Sequence, residues 1–157
     1  MLKKHVNNLI LNNPTCILEP SIGQGDLVQY VSQENGTISF DMYEIDTDIK
    51  MLDNIPNNVI YRDFITENIN KKYKTIIGNP PFVRTTKGNL YIDFIEKCYN
   101  LLEDNGELIF IIPSDFFKLT CAAKLLNNMI MNGAFTHIYH PNNEKLFENA
   151  SIDVMVF

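Results

Sequence analysis

The segment Asn79-Pro80-Pro81-Phe82 combines residue types that can hold a planar amino group for reaction. Asn79 offers a side-chain carbonyl and Pro80 a backbone carbonyl, and the two prolines restrict the backbone that carries them. Two fixed acceptors aimed at one NH2 group would keep its nitrogen lone pair from conjugating into an attached ring, so that the lone pair could attack an electrophilic methyl carbon. Phe82 adds a flat surface on which the substrate's ring could stack. The tetrapeptide therefore predicts methyl transfer to nitrogen, although double prolines also occur in plain turns.

A second motif contains two closely spaced glycines, in the segment Glu19-Pro20-Ser21-Ile22-Gly23-Gln24-Gly25-Asp26. Gly23 and Gly25 permit a tight turn and a close approach of the backbone to a ligand, and the helix that follows would present its N-terminal amides. Val28 stands where the dinucleotide-binding fingerprint has its third glycine, so the spacing differs from that motif. The segment predicts a small-molecule site, and the alternative is an ordinary strand-to-helix turn.

Two carboxylates follow the next two predicted strands. Glu44 ends one strand and could accept hydrogen bonds from two ribose hydroxyls. Asp63 ends the other and could accept from an exocyclic amine, with Phe64 packing on a purine face. Asp46 is more typical of a helix cap. Together with the glycine turn, these residues predict an adenosine site.

Short β-branched or aromatic runs alternate with longer helical patterns, which predicts βαβ units and a mainly parallel sheet. The predicted strands cover residues 16–19, 37–43, 58–61, 74–77, 108–112, 135–139 and 152–157. The predicted helices cover residues 6–11, 27–33, 46–52, 91–102 and 115–131, and residues 104–106 read as a turn. Each motif follows the carboxyl end of a strand, where open α/β sheets bind their ligands.

The chain has 157 residues, of which 45% are hydrophobic and 20% charged, and this fits one globular domain. It contains no apolar run long enough to span a bilayer, so we expect an intracellular protein with no membrane partner. Cys16, Cys98 and Cys121 lack metal-ligand spacing, and we expect no metal.

The net charge of −6 argues against a freestanding nucleic-acid binder, because neutralising phosphates requires clustered cations. The local basic clusters are Lys71-Lys72 with Lys74, and Arg84 with Lys87. The first is typical of a solvated surface. The second directly follows the tetrapeptide.

In their order and spacing these motifs resemble those of the class I methyltransferases that use S-adenosylmethionine, and most closely the gamma-type N6-adenine DNA methyltransferases. The resemblance assigns the methionine part of the cofactor to Glu19, Pro20, Ser21, Gly23 and Gly25. It assigns the ribose and adenine to Glu44, Ile45, Asp63 and Phe64. It makes Asn79, Pro80, Pro81 and Phe82 the catalytic segment, with Asn79 also touching the cofactor. Residues 91–117 and 147–157 resemble the family's pocket wall and closing strand.

The resemblance implies a Rossmann-like α/β fold, with a seven-stranded, mostly parallel sheet, an antiparallel last strand and helices on both faces. It implies site-specific methyl transfer from S-adenosylmethionine to the N6 amino group of adenine in DNA, with the base flipped out of the helix. Such a reaction needs positioning more than acid–base groups. Residues 1–157 would form one catalytic domain, with a shortened N-terminal segment 1–13 and no target-recognition domain. A missing domain or partner chain would then hold the DNA.

Two alternatives to a DNA methyltransferase remain open at this point. The first is an N-methyltransferase that acts on glutamine amides of proteins or on amines of RNA bases, since the same tetrapeptide serves these enzymes. The second is a cofactor-binding subunit without catalytic activity that stabilises a partner.

Overall fold

The computed structural model describes residues 1–86, 88–141 and 153–157. A central β-sheet forms the middle layer of this part of the chain. Its strands are β1 (Cys16–Glu19), β2 (Ser39–Glu44), β3 (Val59–Tyr61), β4 (Tyr73–Gly78), β7 (Leu102–Pro113) and β8 (Val154–Val156). A separate hairpin is formed by β5 (Arg84–Thr85) and β6 (Gly88–Asn89). The strand order in the sheet is β3-β2-β1-β4-β7-β8.

All neighbouring strands of this sheet are parallel except the last pair, in which β8 runs antiparallel to β7 and Ile111 lies opposite Val156. The predicted mostly parallel sheet with an antiparallel last strand is therefore confirmed. Within the described residues it has six strands, because the predicted strand over residues 135–139 is reduced to one bridge between Tyr139 and Val156. Phe135 instead makes ring contacts with Phe117 and Phe157. Side-chain packing therefore holds this segment in place of the hydrogen bonds of a β-ladder.

Helices cover both faces of the sheet, as predicted. They are α1 (Leu2–Asn8), α2 (Asp26–Asn35), α3 (Leu90–Asn100) and α4 (Ala123–Asn132). The apolar sides of α1 and α2 pack on one face and those of α3 and α4 on the other, which gives two hydrophobic clusters. The run Phe110-Ile111-Ile112 divides between them, since successive side chains of a strand point to opposite faces. No helix within the described residues has the length and apolarity needed to cross a membrane.

Three local predictions are corrected. Residues 46–52 form turns and not a helix; Asp46 Oδ1 accepts the Asp48 amide, and Leu52 N donates to the distant carbonyl of Gln24 and not to a helical partner. The predicted helix 115–131 begins as two 3-10 segments, since Leu119 has an extended backbone, and α4 starts only at Ala123. The predicted turn at 104–106 is an irregularity inside β7, where Asn105 has a φ of 60°.

The predicted closing strand over 152–157 is confirmed only for Val154–Val156, and residues 142–152, with Phe147 among them, lie outside the described part. Lys87, one half of the second basic cluster, also lies outside it.

Candidate active site at the carboxyl edge of the sheet

The predicted site residues lie on four neighbouring strands, at the ends where these strands finish. Glu19 ends β1, Glu44 ends β2, Asp63 follows β3, and Asn79 follows β4. Because β3, β2, β1 and β4 are adjacent and parallel, their carboxyl ends meet at one edge. The structure therefore brings together segments that are up to 60 residues apart in the sequence.

The glycine turn after β1 has the backbone that its sequence requires. Gly23 and Gly25 have φ values of 58° and 96°, which favour glycine. A Cβ on Gly25 would lie 2.5 Å from Cδ1 of Ile55, whereas a Cβ on Gly23 would meet nothing within 4 Å. The backbone at Gly23 is therefore uncovered and open to a ligand. Gly25, which is the N-cap residue of α2, is covered by the side chain of Ile55.

Glu19 is a buried carboxyl, with 2% of its surface exposed. Its pKa is raised to about 8, chiefly because the carboxyl is buried; a hydrogen bond from the Ser21 amide (3.0 Å) lowers the pKa and the nearby charge of Glu44 raises it. Glu19 is therefore mostly protonated at neutral pH. The Ser21 hydroxyl lies close to this carboxyl, but it is buried and makes no hydrogen bond of good geometry within the described residues.

Glu44 connects the end of β2 to the glycine turn. Its Oε2 accepts the Gly23 amide at 2.9 Å, and its Oε1 accepts the amides of Ile45 and Asp46 at 2.8 and 2.9 Å. A carboxylate offers about four acceptor positions, so roughly one remains for a ligand. Ile45 beside it is 69% exposed, an unusual environment for a large apolar side chain.

Asp63 and Phe64 form the turn after β3. Asp63 Oδ1 accepts the Ile65 amide at 2.9 Å. The ring of Phe64 is only 2% exposed, because it stacks on Phe94 with ring centroids 5.5 Å apart and meets Tyr43 edge-on at 5.3 Å. The Phe64 ring therefore offers little free surface to a purine, and its contact with the adenine stays a prediction.

Lys97, which the sequence analysis missed, anchors this same turn from α3. Its Nζ donates to the carbonyls of Phe64, Ile65 and Glu67, and it lies 4.8 Å from the centroid of the Phe64 ring. Burial lowers the pKa of Lys97. The sequence contained a signal for this role, since Lys97 directly precedes Cys98, which lies on the buried side of an amphipathic helix.

The tetrapeptide continues directly from β4. Gly78 allows Phe110 to pack closely, since a Cβ there would lie 2.9 Å from the Phe110 ring. Asn79 is exposed and makes no hydrogen bond to the described residues, whereas Pro80 is buried. Phe82 is half-buried and meets the ring of Tyr91 edge-on at 6.1 Å. The acceptor of Asn79 is thus open to a substrate, on a backbone that the core holds in place.

A large cleft of about 880 Å³ lies at the opposite edge of the sheet. Residues 102–109 of β7, residues 133–137 and Phe157 line it, and none of the predicted site residues does. It runs beside the stretch of β7 that β8 does not reach. We place the candidate site at the carboxyl edge, because the side chains that can do chemistry converge there.

The fold and this edge define the class to which the chain is similar. A protein of Listeria monocytogenes assigned to the class I S-adenosylmethionine-dependent methyltransferases superposes with a TM-score of 0.72 at 16% identity, over 98% of this chain and 55% of that one. The type I restriction-modification methyltransferase subunit of Streptococcus thermophilus gives a TM-score of 0.71 at 15% identity, over 99% and 42% of the two chains. The chain has the class I methyltransferase fold, whose cofactor is S-adenosylmethionine.

Sequence comparison identifies a family within this fold class. The model of the Eco57I restriction-modification methylases matches residues 5–147, and the chain belongs to that family. The type II methyltransferase M.HincII of Haemophilus influenzae is 33% identical over 180 aligned residues, which cover 100% of this chain and 35% of that protein. The type II methyltransferase M.CvrRI of Paramecium bursaria Chlorella virus XZ-6E is 33% identical over 115 residues, 64% of this chain and 30% of that protein. The chain spans about a third of the length of these curated relatives.

Proposed function

We propose that this chain carries the S-adenosylmethionine site and the methyl-transfer site of a DNA methyltransferase that modifies the N6 amino group of adenine. The observation that carries the proposal is the exposed acceptor of Asn79, fixed by Pro80 at the end of β4. It lies at the same edge as the glycine turn and the carboxylates that follow β1, β2 and β3. A methyl donor bound by those loops would lie next to the acceptor of the amine.

The residues at this edge fit an adenosine bearing a charged amino acid end. The open backbone at Gly23 suits the methionine part. Glu44 retains roughly one acceptor position for a ribose hydroxyl, and the exposed side chain of Ile45 offers an apolar surface to a flat base. The second carboxylate oxygen of Asp63 makes no hydrogen bond to the described residues and can accept from the adenine amine.

The tetrapeptide positions the amine for reaction. The Oδ1 of Asn79 and the carbonyl of Pro80 accept its two N–H groups, which favours a tetrahedral nitrogen whose lone pair is localised and no longer conjugated into the ring. Phe82 stacks against the ring of the base. S-adenosylmethionine, held by the loops after β1, β2 and β3, would supply an electrophilic methyl carbon to this nitrogen; the sulfur would keep the electron pair of the broken C–S bond, and one N–H proton would leave to solvent.

DNA as the acceptor is supported by the family, whose members are restriction-modification methylases, and by the type II methyltransferases that the chain resembles. The net charge of −6 opposes tight binding to a polyanion by this chain alone. We therefore assign sequence recognition to another domain or to a partner chain, with the adenine flipped into the site at the carboxyl edge.

The first test is transfer of a tritiated methyl group from S-adenosylmethionine to unmethylated DNA, with RNA and protein as competing acceptors. We expect label in N6-methyladenine after digestion of the DNA. Asn79→Ala should lower the rate by at least about 100-fold, because it removes a fixed acceptor that acts on the reacting nitrogen. Asn127→Ala, an exposed position on α4, is the matched control and should leave the rate unchanged.

Label confined to RNA or to protein would contradict the DNA acceptor and favour the corresponding alternative. Cofactor binding without transfer to any acceptor would favour a non-catalytic subunit. An Asn79→Ala variant as active as the parent would contradict the assignment of the tetrapeptide.

A further inference from the structure

The two arginines of the chain have different environments. Arg62 pairs with Glu67 at 2.8 Å. Arg84 is exposed and lies within 4.0 Å of no carboxylate among the described residues. In a chain with a net charge of −6, an exposed guanidinium that has no ion pair within the described residues and lies beside a candidate site is a feature that the methyl-transfer chemistry itself does not use.

The hairpin that carries Arg84 is fixed to the candidate site at both ends. Arg84 lies opposite Asn89 in the β5–β6 pair, and the Leu90 amide donates to the Val83 carbonyl at 2.8 Å, which closes the base of the hairpin. One end continues from Phe82, and the other enters α3, where Tyr91 packs against the Phe82 ring.

The distance to the reacting group is limited by the chain itself. Arg84 is five residues from Asn79, so their Cα atoms lie at most about 18 Å apart. An arginine side chain adds several ångströms of reach in either direction. That distance suits contact with the backbone of a nucleic acid on either side of a base held at Asn79.

Local charge at this edge also favours an anion more than the net charge suggests. Glu44 accepts three backbone amides, Asp63 accepts one, and Glu19 is buried and mostly protonated at neutral pH. The carboxylates that follow β1, β2 and β3 are thus protonated or partly offset by amide donors, whereas Arg84 is not offset by any ion pair within the described residues.

We propose that Arg84 binds a phosphodiester group of the substrate strand next to the target base, and so positions that base over Asn79. The inference rests on the proposed function, since it takes the substrate to be DNA. A guanidinium suits this role because its fork of N–H donors matches two phosphate oxygens and it stays charged at every physiological pH. Val83, which is 54% exposed beside it, offers an apolar contact to the neighbouring sugar.

The test compares Arg84→Gln and Arg84→Lys with the parent chain in steady-state methylation and in DNA binding at several salt concentrations. Arg84→Gln should raise the KM for DNA by about tenfold and reduce the slope of log K against log salt by about 1, since one phosphate contact is lost. The kcat at saturating DNA and the affinity for S-adenosylmethionine should not change. Arg84→Lys should keep the salt slope and lose only part of the affinity, because it keeps the charge and loses the fork.

Lys74→Gln is the control for the loss of one positive charge, because Lys74 is exposed near the amino end of β4, at the opposite edge of the sheet. An Arg84→Gln variant with the KM and salt slope of Lys74→Gln would overturn the inference while DNA methylation by the parent chain still stands. Loss of cofactor affinity in Arg84→Gln would also overturn it, by showing that the hairpin supports the fold of the site. If the parent chain, assayed together with the domain or partner chain that recognises the DNA, methylates no DNA, the proposed function itself is contradicted and the inference falls with it.

Discussion

Glu19 shows how one residue can have a property that its position in a motif does not reveal. The sequence places it in a ligand-binding turn, and the structure adds that its carboxyl is buried between the turn and the core. A buried carboxyl is uncharged more often than an exposed one, because burial penalises the charged form.

Glu19→Gln should remove a pH dependence of the free energy of unfolding. In the folded chain the pKa of Glu19 is about 8, and in the unfolded chain it is near the ordinary value of 4.5. The folded state therefore keeps a proton that the unfolded state loses, so stability is full below about pH 4.5 and falls as the pH rises through 8. The effect is at most about 5 kcal/mol. Urea unfolding of both chains at pH 5, 6.5 and 8 measures it.

The comparison is made between the two chains at each pH, so that other titrating groups cancel. We expect the variant to gain stability relative to the parent as the pH rises. A difference that stays constant from pH 5 to pH 8 would contradict the assignment of the raised pKa to Glu19.

At the scale of elements, the turn after β3 depends on a contact from a helix far along the sequence. Lys97 of α3 donates to three carbonyls of this turn, and the Phe64 ring packs against the same helix through Phe94. The loop that is expected to hold the adenine is therefore positioned by α3. Since α3 begins at the hairpin that follows the tetrapeptide, the same helix connects the cofactor side of the site to the substrate side.

Lys97→Met should weaken both the fold and cofactor binding. Methionine keeps the apolar stem but offers no donor, so three carbonyls lose a charged partner, which costs about 1–3 kcal/mol. We expect a lower midpoint of urea unfolding and a higher dissociation constant for S-adenosylmethionine, measured by calorimetry. Lys124→Met, at an exposed position of α4, is the control. Unchanged values of both quantities in Lys97→Met would show that the turn holds its shape without this lysine.

At the scale of the whole molecule, the two edges of the sheet have different characters. The carboxyl edge collects the loops with chemical groups. The amino edge has the large cleft, which is lined by the amino-terminal part of β7. Within the described residues, Leu102 and residues 107–110 of β7 pair with β4, whereas residues 103–106 between them have no partner in the ladder. Residues 111–113 pair with β8, and Phe110 is paired on both sides, with Gly78 and with Phe157. The stretch of β7 beside the cleft thus contains a segment without ladder partners, and the rest of the strand does not.

Hydrogen exchange should reveal this difference. Amides of residues 103–106 should exchange faster than those of residues 108–112, because a segment without ladder partners opens at a lower free energy than one that pairs with β4 or β8. Peptide-resolved mass spectrometry on the free chain measures the two segments. Residues 75–78 of β4, which lies between two strands, serve as the protected reference. Equal protection of 103–106 and 108–112 would show that the cleft edge is covered in solution.

Much of the fold could be predicted because its signals are local. The run Cys16–Glu19 was predicted to the residue, since a short apolar segment bounded by proline and followed by glycines has few other conformations. The runs leading into Glu44 and Asn79 were predicted within two residues for the same reason. The helix predicted at 46–52 was wrong, because a tertiary hydrogen bond from Leu52 to Gln24 outweighed a weak local preference.

The sequence by itself determined the class of fold, the edge at which the motifs gather and the residue types available there. These follow from periodicity and from backbone restrictions that act within a few residues. Only the tertiary structure decided which groups are open. It buried the Phe64 ring under Phe94, left Ile45 exposed, filled most acceptor positions of Glu44, raised the pKa of Glu19 and left Arg84 without an ion pair among the described residues. Each of these depends on contacts between segments far apart in the chain, and no local pattern carries that information.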